Sequence, residues 1–178
     1  AWNYTFYVPH DVNGLASLMG GQRSFVDKLQ KVFDDGLYDA ANEPDIAYPY
    51  LFSYFPGEEW RTQKIVSEIL ERNYGLGTDG IPGNDDTGTM SAWAVFSMMG
   101  FYPDCPGDPS YTLTTPTFDK ITISLNPELC PGKSLLVISK SGKGKIIRSI
   151  RRGGRKFGQY RISHRDLVSA GTIEYFTK

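Results

Sequence analysis

Thr89-Met90-Ser91-Ala92-Trp93-Ala94-Val95-Phe96-Ser97-Met98-Met99-Gly100-Phe101-Tyr102-Pro103 is the stretch in which the chain changes its period. Met90, Trp93 and Ser97 recur at helical spacing, which predicts a helix over 88–100, and Gly100 supplies the stop. Beyond Pro103 the helical period gives way to short β-type runs bounded by turn residues.

Upstream of this stretch the pattern stays helical. Phe25, Leu29, Val32 and Phe33 share one face of a helix, as do Val66, Ile69 and Leu70. Helices are predicted at 12–19, 22–35, 46–55 and 60–73, punctuated by Gly20-Gly21, Asp35-Gly36, Pro56-Gly57 and the glycines between 75 and 83. Helices that follow one another without intervening strands fit a helical bundle or an α/α barrel, not a βαβ fold. Downstream, strands are predicted at 111–115, 120–124, 134–140, 145–150, 157–162 and 172–176, which reads as an antiparallel sheet or part of a sandwich. The fold class is therefore α+β, with a helical part over 1–110 and an antiparallel β region over 111–178.

The net charge of −1 conceals a split. Residues 1–132 hold 7 Lys/Arg against 18 Asp/Glu, whereas residues 133–178 hold 12 against 2. A basic tail can serve nucleic acid, but this one has no such motif and its charges cluster around turn glycines. A solvated surface, or docking against acidic parts of the same protein, is the reading adopted, so no nucleic-acid partner is expected. The 13% aromatic content exceeds what a minimal core needs. Packing inside a helical barrel accounts for most of it, and sugar-facing surfaces are a further use.

Cys105 and Cys130 each precede a proline and have no metal-ligand spacing. As a disulfide they would close a loop of about 25 residues and contribute about 3 kcal/mol; as thiols they would be buried. The residues leave both open. No apolar run approaches the ~20 residues that span a bilayer, so no membrane partner is expected. The opening Ala1-Trp2-Asn3-Tyr4 has no initiator Met and is neither a signal nor a transit peptide, so the chain reads as cut from a longer protein.

Three loops collect polar residues that helix packing does not explain. In Val8-Pro9-His10-Asp11, Asp11 is a reasonable N-cap for the next helix. In Ala41-Asn42-Glu43-Pro44-Asp45, Asp45 could cap the following helix, which leaves Asn42 and Glu43 without a local duty. An adjacent amide and carboxylate can chelate vicinal sugar hydroxyls or order water around a hard cation. The third loop, Asp79 to Thr89, sets Asn84, Asp85 and Asp86 between glycines at a helix N-terminus. Free N–H groups and the helix dipole keep such acids ionised, as a general base must be. Capping explains one of the two aspartates but not both together with Asn84.

Gly83-Asn84-Asp85-Asp86-Thr87-Gly88-Thr89-Met90-Ser91-Ala92-Trp93, continuing through Val95-Phe96-Ser97 and Gly100-Phe101-Tyr102-Pro103, strongly resembles glycoside hydrolase family 92, the calcium-dependent exo-α-mannosidases. Val8-Pro9-His10-Asp11, Met19-Gly20-Gly21, Asn42-Glu43-Pro44, Trp60-Arg61-Thr62-Gln63, Thr115-Pro116, Phe118-Asp119-Lys120 and Ile162-Ser163-His164 resemble the same family in the same order. The resemblance implies an N-terminal β-sandwich and a C-terminal (α/α)6 barrel, of which residues 1–110 would be the second half and residues 111–178 the terminal strands. It implies an inverting exo-α-mannosidase acting on N-glycans or mannans, with a Ca2+ cofactor whose ligands are not assigned. Asp86 corresponds to the general base, with Asn84 or Asp85 as its helper; some members carry an acid where Asn84 stands. Asn42 and Glu43 fall on the loop that contacts substrate and calcium, and His10 and Asp11 on the edge of the substrate site. The family's general acid is a glutamate just before the Trp2 segment, outside this chain. The implied partners are a mannose-containing oligosaccharide and the preceding part of the same enzyme, in a secreted, periplasmic or extracellular protein. The alternative is a non-catalytic carbohydrate-binding or structural module of the same fold.

Overall fold

The computed structural model describes residues 2–178. The helical part contains α1 (Trp2–Thr5), α2 (Val12–Leu18), α3 (Gln22–Asp34), α4 (Glu59–Asn73) and α5 (Thr89–Met99). Between α3 and α4 the expected helix over 46–55 is instead two 3₁₀ segments, Glu43–Asp45 and Tyr48–Tyr54. Pro44 and Pro49 withhold two backbone donors there. The second segment is buried from Tyr48 to Ser53, so it is a plug surrounded by other elements and not an amphipathic surface helix.

The plug organises the first core. Phe25, Val26, Leu29 and Val32 turn the buried face of α3 toward it, and Ile65, Val66 and Ile69 do the same from α4. Phe6 meets Phe25 and Tyr48 edge-on, with ring centroids 5.1 and 5.4 Å apart. Trp93 closes the core from α5. Two polar pairs lie within it: Tyr50 with Ser97 at 2.5 Å, and Ser53 with Thr62 at 3.0 Å.

Gly100 ends α5 at φ 91° and carries the chain into β1 (Phe101–Tyr102). A Cβ at this position would stand 2.6 Å from Pro116 Cγ, so both the backbone angle and the close approach require glycine. The strands that follow are β2 (Ser110–Leu113), β3 (Lys120–Ser124), β4 (Leu135–Ser141), β5 (Ile147–Arg152), β6 (Arg155–Phe157), β7 (Arg161–Ser163) and β8 (Thr172–Thr177). They form a three-stranded sheet ordered β1-β2-β7 and a five-stranded sheet ordered β3-β4-β8-β5-β6. Every pairing is antiparallel except β4 with β8, which runs parallel with Ile138 opposite Ile173. The stretch read as one strand over 157–162 divides into β6 and β7 in different sheets. The sequence pattern also gave no sign of α6 (His164–Ser169), which Ser163 caps by accepting from Asp166 N–H. The second core comprises Phe101, Leu113, Leu136, Ile138, Ile147, Ile150, Ile162, Leu167, Ile173 and Tyr175, and Phe96 packs against both cores. Cys105 and Cys130 are free and partly exposed, neither bonded nor buried.

Part of the basic second half docks on the acidic first. Lys145 meets Glu71 at 2.6 Å, and Gln63 Oε1 accepts from Ile147 N–H at 2.8 Å. Arg161 has the most partners. Its Nη1 donates to both oxygens of Asp104 and to Thr112, its Nη2 donates to Asp108 and Ser110, and its guanidinium lies 4.4 Å from the Tyr54 ring centroid. The Asp104 side chain is wholly buried, and Tyr54 also donates to it at 2.7 Å. Removing the guanidinium would leave a buried charge with only neutral donors. Arg161→Met in the full-length protein is therefore expected to cost about 3–5 kcal/mol, read from denaturant unfolding. A loss below about 1 kcal/mol would reduce this cluster to an ordinary surface pair.

Candidate active site

The loop from Tyr74 to Gly88 is anchored at both ends on one aromatic stack. Tyr74 lies parallel to Trp93 with ring centroids 5.4 Å apart. Between them the chain turns back on itself through Gly75 N–H to Gly80 O at 2.9 Å. The loop then runs through Gly83 to Asp86 and into α5.

The two neighbouring aspartates do different things. Asp85 Oδ1 accepts from both the N–H and the hydroxyl of Ser91, each at 2.8 Å, so this carboxylate is committed to the first turn of α5. Burial pushes the Tyr74 phenol up to about 12, and the Asp85 charge adds to the rise. Asp86 contributes its backbone carbonyl, which accepts from Thr89 N–H and from Thr89 Oγ1 at 2.7 Å. Its carboxylate is exposed and makes no hydrogen bond or ion pair among the described residues. The backbone is left-handed at Asp86 (φ 46°) and Thr87 (φ 60°). Aspartate tolerates that region better than most residues, but a β-branched threonine there is an outlier of the kind that clusters at functional sites.

The turn that carries Asn42 and Glu43 touches this loop. Gly83 stands against Ala41 so closely that a Cβ on Gly83 would lie 2.7 Å from Ala41 Cβ. The indole of Trp93 donates to Ile46 O at 2.9 Å, which pins the helix after one loop to the turn after the other. Asn84, Asp86 and Glu43 are exposed, and Asn42 and Asp85 are partly so. Asp45 does not cap the following segment. It is fully buried and points back, its Oδ2 accepting from Asp39 N–H at 3.1 Å. Burial pushes its carboxyl up to about 6; the Asp39 N–H and the Asn42 amide pull it down, and the Asp39 charge adds a little to the rise.

His10 and Asp11 stand apart from this pair of loops. His10 is exposed, and Asp11 caps α2 by accepting from Gly14 N–H at 2.8 Å. Among the described residues no hydrogen bond or ion pair links either of them to the other two loops. Their segment is tied to the core one turn earlier, where Tyr48 Oη accepts from Phe6 N–H at 3.0 Å. The resemblance set both the 41–45 and the 83–86 loops at the substrate site, and the small residues Ala41 and Gly83 are where the two touch.

The oxygens of Asn42, Glu43, Asn84 and Asp86 are hard donors, the kind calcium prefers, but too few converge. Among the described residues no group of three or more His, Cys, Asp or Glu side chains gathers to hold an ion, whereas calcium takes about 6–8 oxygens. These residues alone do not fit a complete calcium site.

The chain matches the glycosyl hydrolase family 92 catalytic domain over residues 1–178. It is 30% identical to an uncharacterized secreted glycosidase of Arthroderma benhamiae, covering 97% of this chain and 22% of the relative. Among solved structures it superposes on a family GH92 α-mannosidase of Bacteroides thetaiotaomicron with TM-score 0.89 and 28% identity, over 99% of this chain and 24% of that one. A family GH92 inverting mannosidase of the same species gives TM-score 0.85 and 29% identity, over 99% and 27%. The fold and its relatives are those of glycoside hydrolases. The chain belongs to glycosyl hydrolase family 92, and it spans about a quarter of the length of the relatives it matches.

Gly83→Ala tests the contact between the two loops. The added methyl meets Ala41, and φ at this position is +63°. The full-length protein is expected to lose about 1–2 kcal/mol from the left-handed backbone alone, and activity should fall further as the loops separate. Unchanged stability and turnover would show that the loops are not held against each other.

Proposed function

We propose that this chain supplies the water-activating side of an inverting exo-α-mannosidase, with Asp86 as the general base. One observation carries the reading: of two adjacent carboxylates at the start of α5, Asp85 is occupied by Ser91 and Asp86 stands free and exposed on a strained backbone. In two-carboxylate inverting hydrolysis, one acid protonates the leaving oxygen. A carboxylate on the opposite face takes a proton from the attacking water. Asp86 is the group available here for the second task, and the acid belongs to a part of the enzyme outside this chain.

The other residues fall into place around it. Asn84 is positioned to hold the water or a hydroxyl beside Asp86, while Asp85 fixes the loop to the helix. Asn42 and Glu43 face the same edge and serve the sugar hydroxyls. His10 is the free group of its turn, since Asp11 is committed to capping α2. Residues 1–110 form the second half of the catalytic barrel in this reading, and 111–178 the terminal strand region. The substrate class is α-mannosides of N-glycans or mannans, in keeping with the mannosidases that this chain resembles. A secreted protein agrees with the description of the fungal relative. Calcium would draw most of its oxygens from outside this chain, with Asn42 and Glu43 contributing at the rim.

Asp86→Asn in the full-length enzyme should lower kcat by roughly 10²–10⁴-fold and leave KM nearly unchanged. NMR of the parent reaction should show β-mannose first. Asp85→Asn should cost about 1 kcal/mol of stability and a smaller part of the rate. Normal kcat in Asp86→Asn, or α-mannose as the initial product, overturns the assignment. Sugar binding without turnover in the parent protein would make it a binding module. Chelation should abolish hydrolysis and added calcium should restore it; undiminished activity after thorough chelation removes calcium from the reading.

A further inference from the structure

Two buried polar atoms at the candidate site have no aligned partner: Asn42 Nδ2 and Asp45 Oδ1. One is a donor and the other an acceptor, and they belong to neighbouring side chains of one turn. The Asn42 amide is near enough to hold down the Asp45 carboxyl, although no aligned hydrogen bond joins them. Unpaired buried polar groups are uncommon and each is costly, so the pair calls for an explanation.

Other groups of the turn are bonded to one another. Asp45 Oδ2 accepts from Asp39 N–H at 3.1 Å, Asp39 Oδ1 accepts from Ala41 N–H at 2.9 Å, and Asn42 O accepts from Asp45 N–H at 2.9 Å. Trp93 holds the far end through Ile46 O. The Asp45 carboxylate therefore has a fixed orientation. One oxygen is used on the backbone, and the other, like Asn42 Nδ2, is buried without a hydrogen-bond partner.

A carboxylate only accepts, whereas an amide offers a donating end and an accepting end. The group that Asp45 presents decides which end of Asn42 turns inward. We propose that Asp45 is a positioning residue whose buried carboxylate draws Asn42 Nδ2 inward and sets Asn42 Oδ1 toward the rim, as an acceptor for a mannose hydroxyl. This rests on the reading of Asn42 as a substrate contact. Asn42 fits the role: its Nδ2 is buried while the residue as a whole is partly exposed. Without the carboxylate the amide could present either end, and a site able to donate there loses its match to a hydroxyl that must donate.

The test uses the full-length enzyme and an α-mannoside substrate. Asp45→Asn keeps an oxygen for Asp39 N–H, so the turn holds, but it points an NH2 at Asn42 and reverses the amide. KM is expected to rise roughly tenfold, the loss of about one hydrogen bond, with kcat changed far less and the thermal midpoint close to that of the parent. Asn42→Ala should raise KM similarly, and combining the two should add little. The exchange Asn42→Asp with Asp45→Asn restores a donor and an acceptor opposite each other, with their roles reversed, and leaves an oxygen facing outward, so KM should return toward the parent value. Calorimetric titration with mannose should follow the same order.

A normal KM in Asp45→Asn beside a raised KM in Asn42→Ala overturns the inference and leaves Asn42 in the site. A normal KM in Asn42→Ala overturns both. An exchange variant that folds but stays as impaired as Asp45→Asn also overturns the inference. Because these readings concern KM, they remain distinct from any failure of Asp86 as the base, which appears in kcat.

Discussion

The hydrogen bond from Trp93 Nε1 to Ile46 O is the contact on which the candidate site depends. An indole has one polar group, a donor, and when buried it must be aimed at an acceptor. Trp93 is 1% exposed, so its single N–H fixes α5 against the turn that carries Asn42 and Glu43. The same ring stacks on Tyr74 and meets Tyr50 edge-on. Both ends of the Tyr74–Gly88 loop are thus attached to a rigid aromatic group. The exposed residues between them inherit their position from the core and not from contacts of their own.

This arrangement lets the loop hold an unfavourable backbone. Left-handed angles at Asp86 and Thr87 cost free energy that a loosely attached loop would release by relaxing. Here the turn cannot relax, because the Asp85 carboxylate binds the Ser91 N–H and hydroxyl while Thr89 binds the Asp86 carbonyl. Asp85 and Asp86 thereby divide two duties that either carboxylate could perform. The helix takes one side chain, and the turn this creates directs the other into solvent. Strain and availability at Asp86 have a common origin.

Much of this was legible in the sequence, and what was hidden has a consistent character. The period of apolar residues gave α2, α3, α4 and α5 to within about two residues, and the alternation after Pro103 gave most strands. The cap at Asp11 was readable from its type and place. The 46–55 stretch failed because a fully buried plug has no amphipathic face from which to read a period; Pro44 and Pro49 were the better guide. The parallel pairing of β4 with β8 was invisible because strand order is set by distant segments, whereas a local pattern speaks only of the strand itself. Asp45 was misjudged for the same reason. As a cap it would serve the residues after it, but it faces the residues before it, where Asp39 offers an N–H inside a buried turn.

Why a site on helical loops should need the strands at all follows from where those strands attach. Burial of Phe96 against both cores would hold the two regions together, but the hydrophobic effect has no direction and leaves their relative angle loosely specified. Hydrogen bonds and ion pairs have direction. Gln63 accepts from the backbone of β5 and Glu71 pairs with Lys145, so α4 is held near its start and near its end. Arg161 joins β7 to Asp104 and lies over Tyr54 at the end of the buried plug. The C-terminal end of α4 leads directly into Tyr74, where the loop bearing Asp86 begins. The sharp separation of charge along the chain then has a local meaning: basic residues of the second half meet acidic residues of the first at a few positions, and one of these, Lys145 with Glu71, holds the helix from which the candidate site is hung.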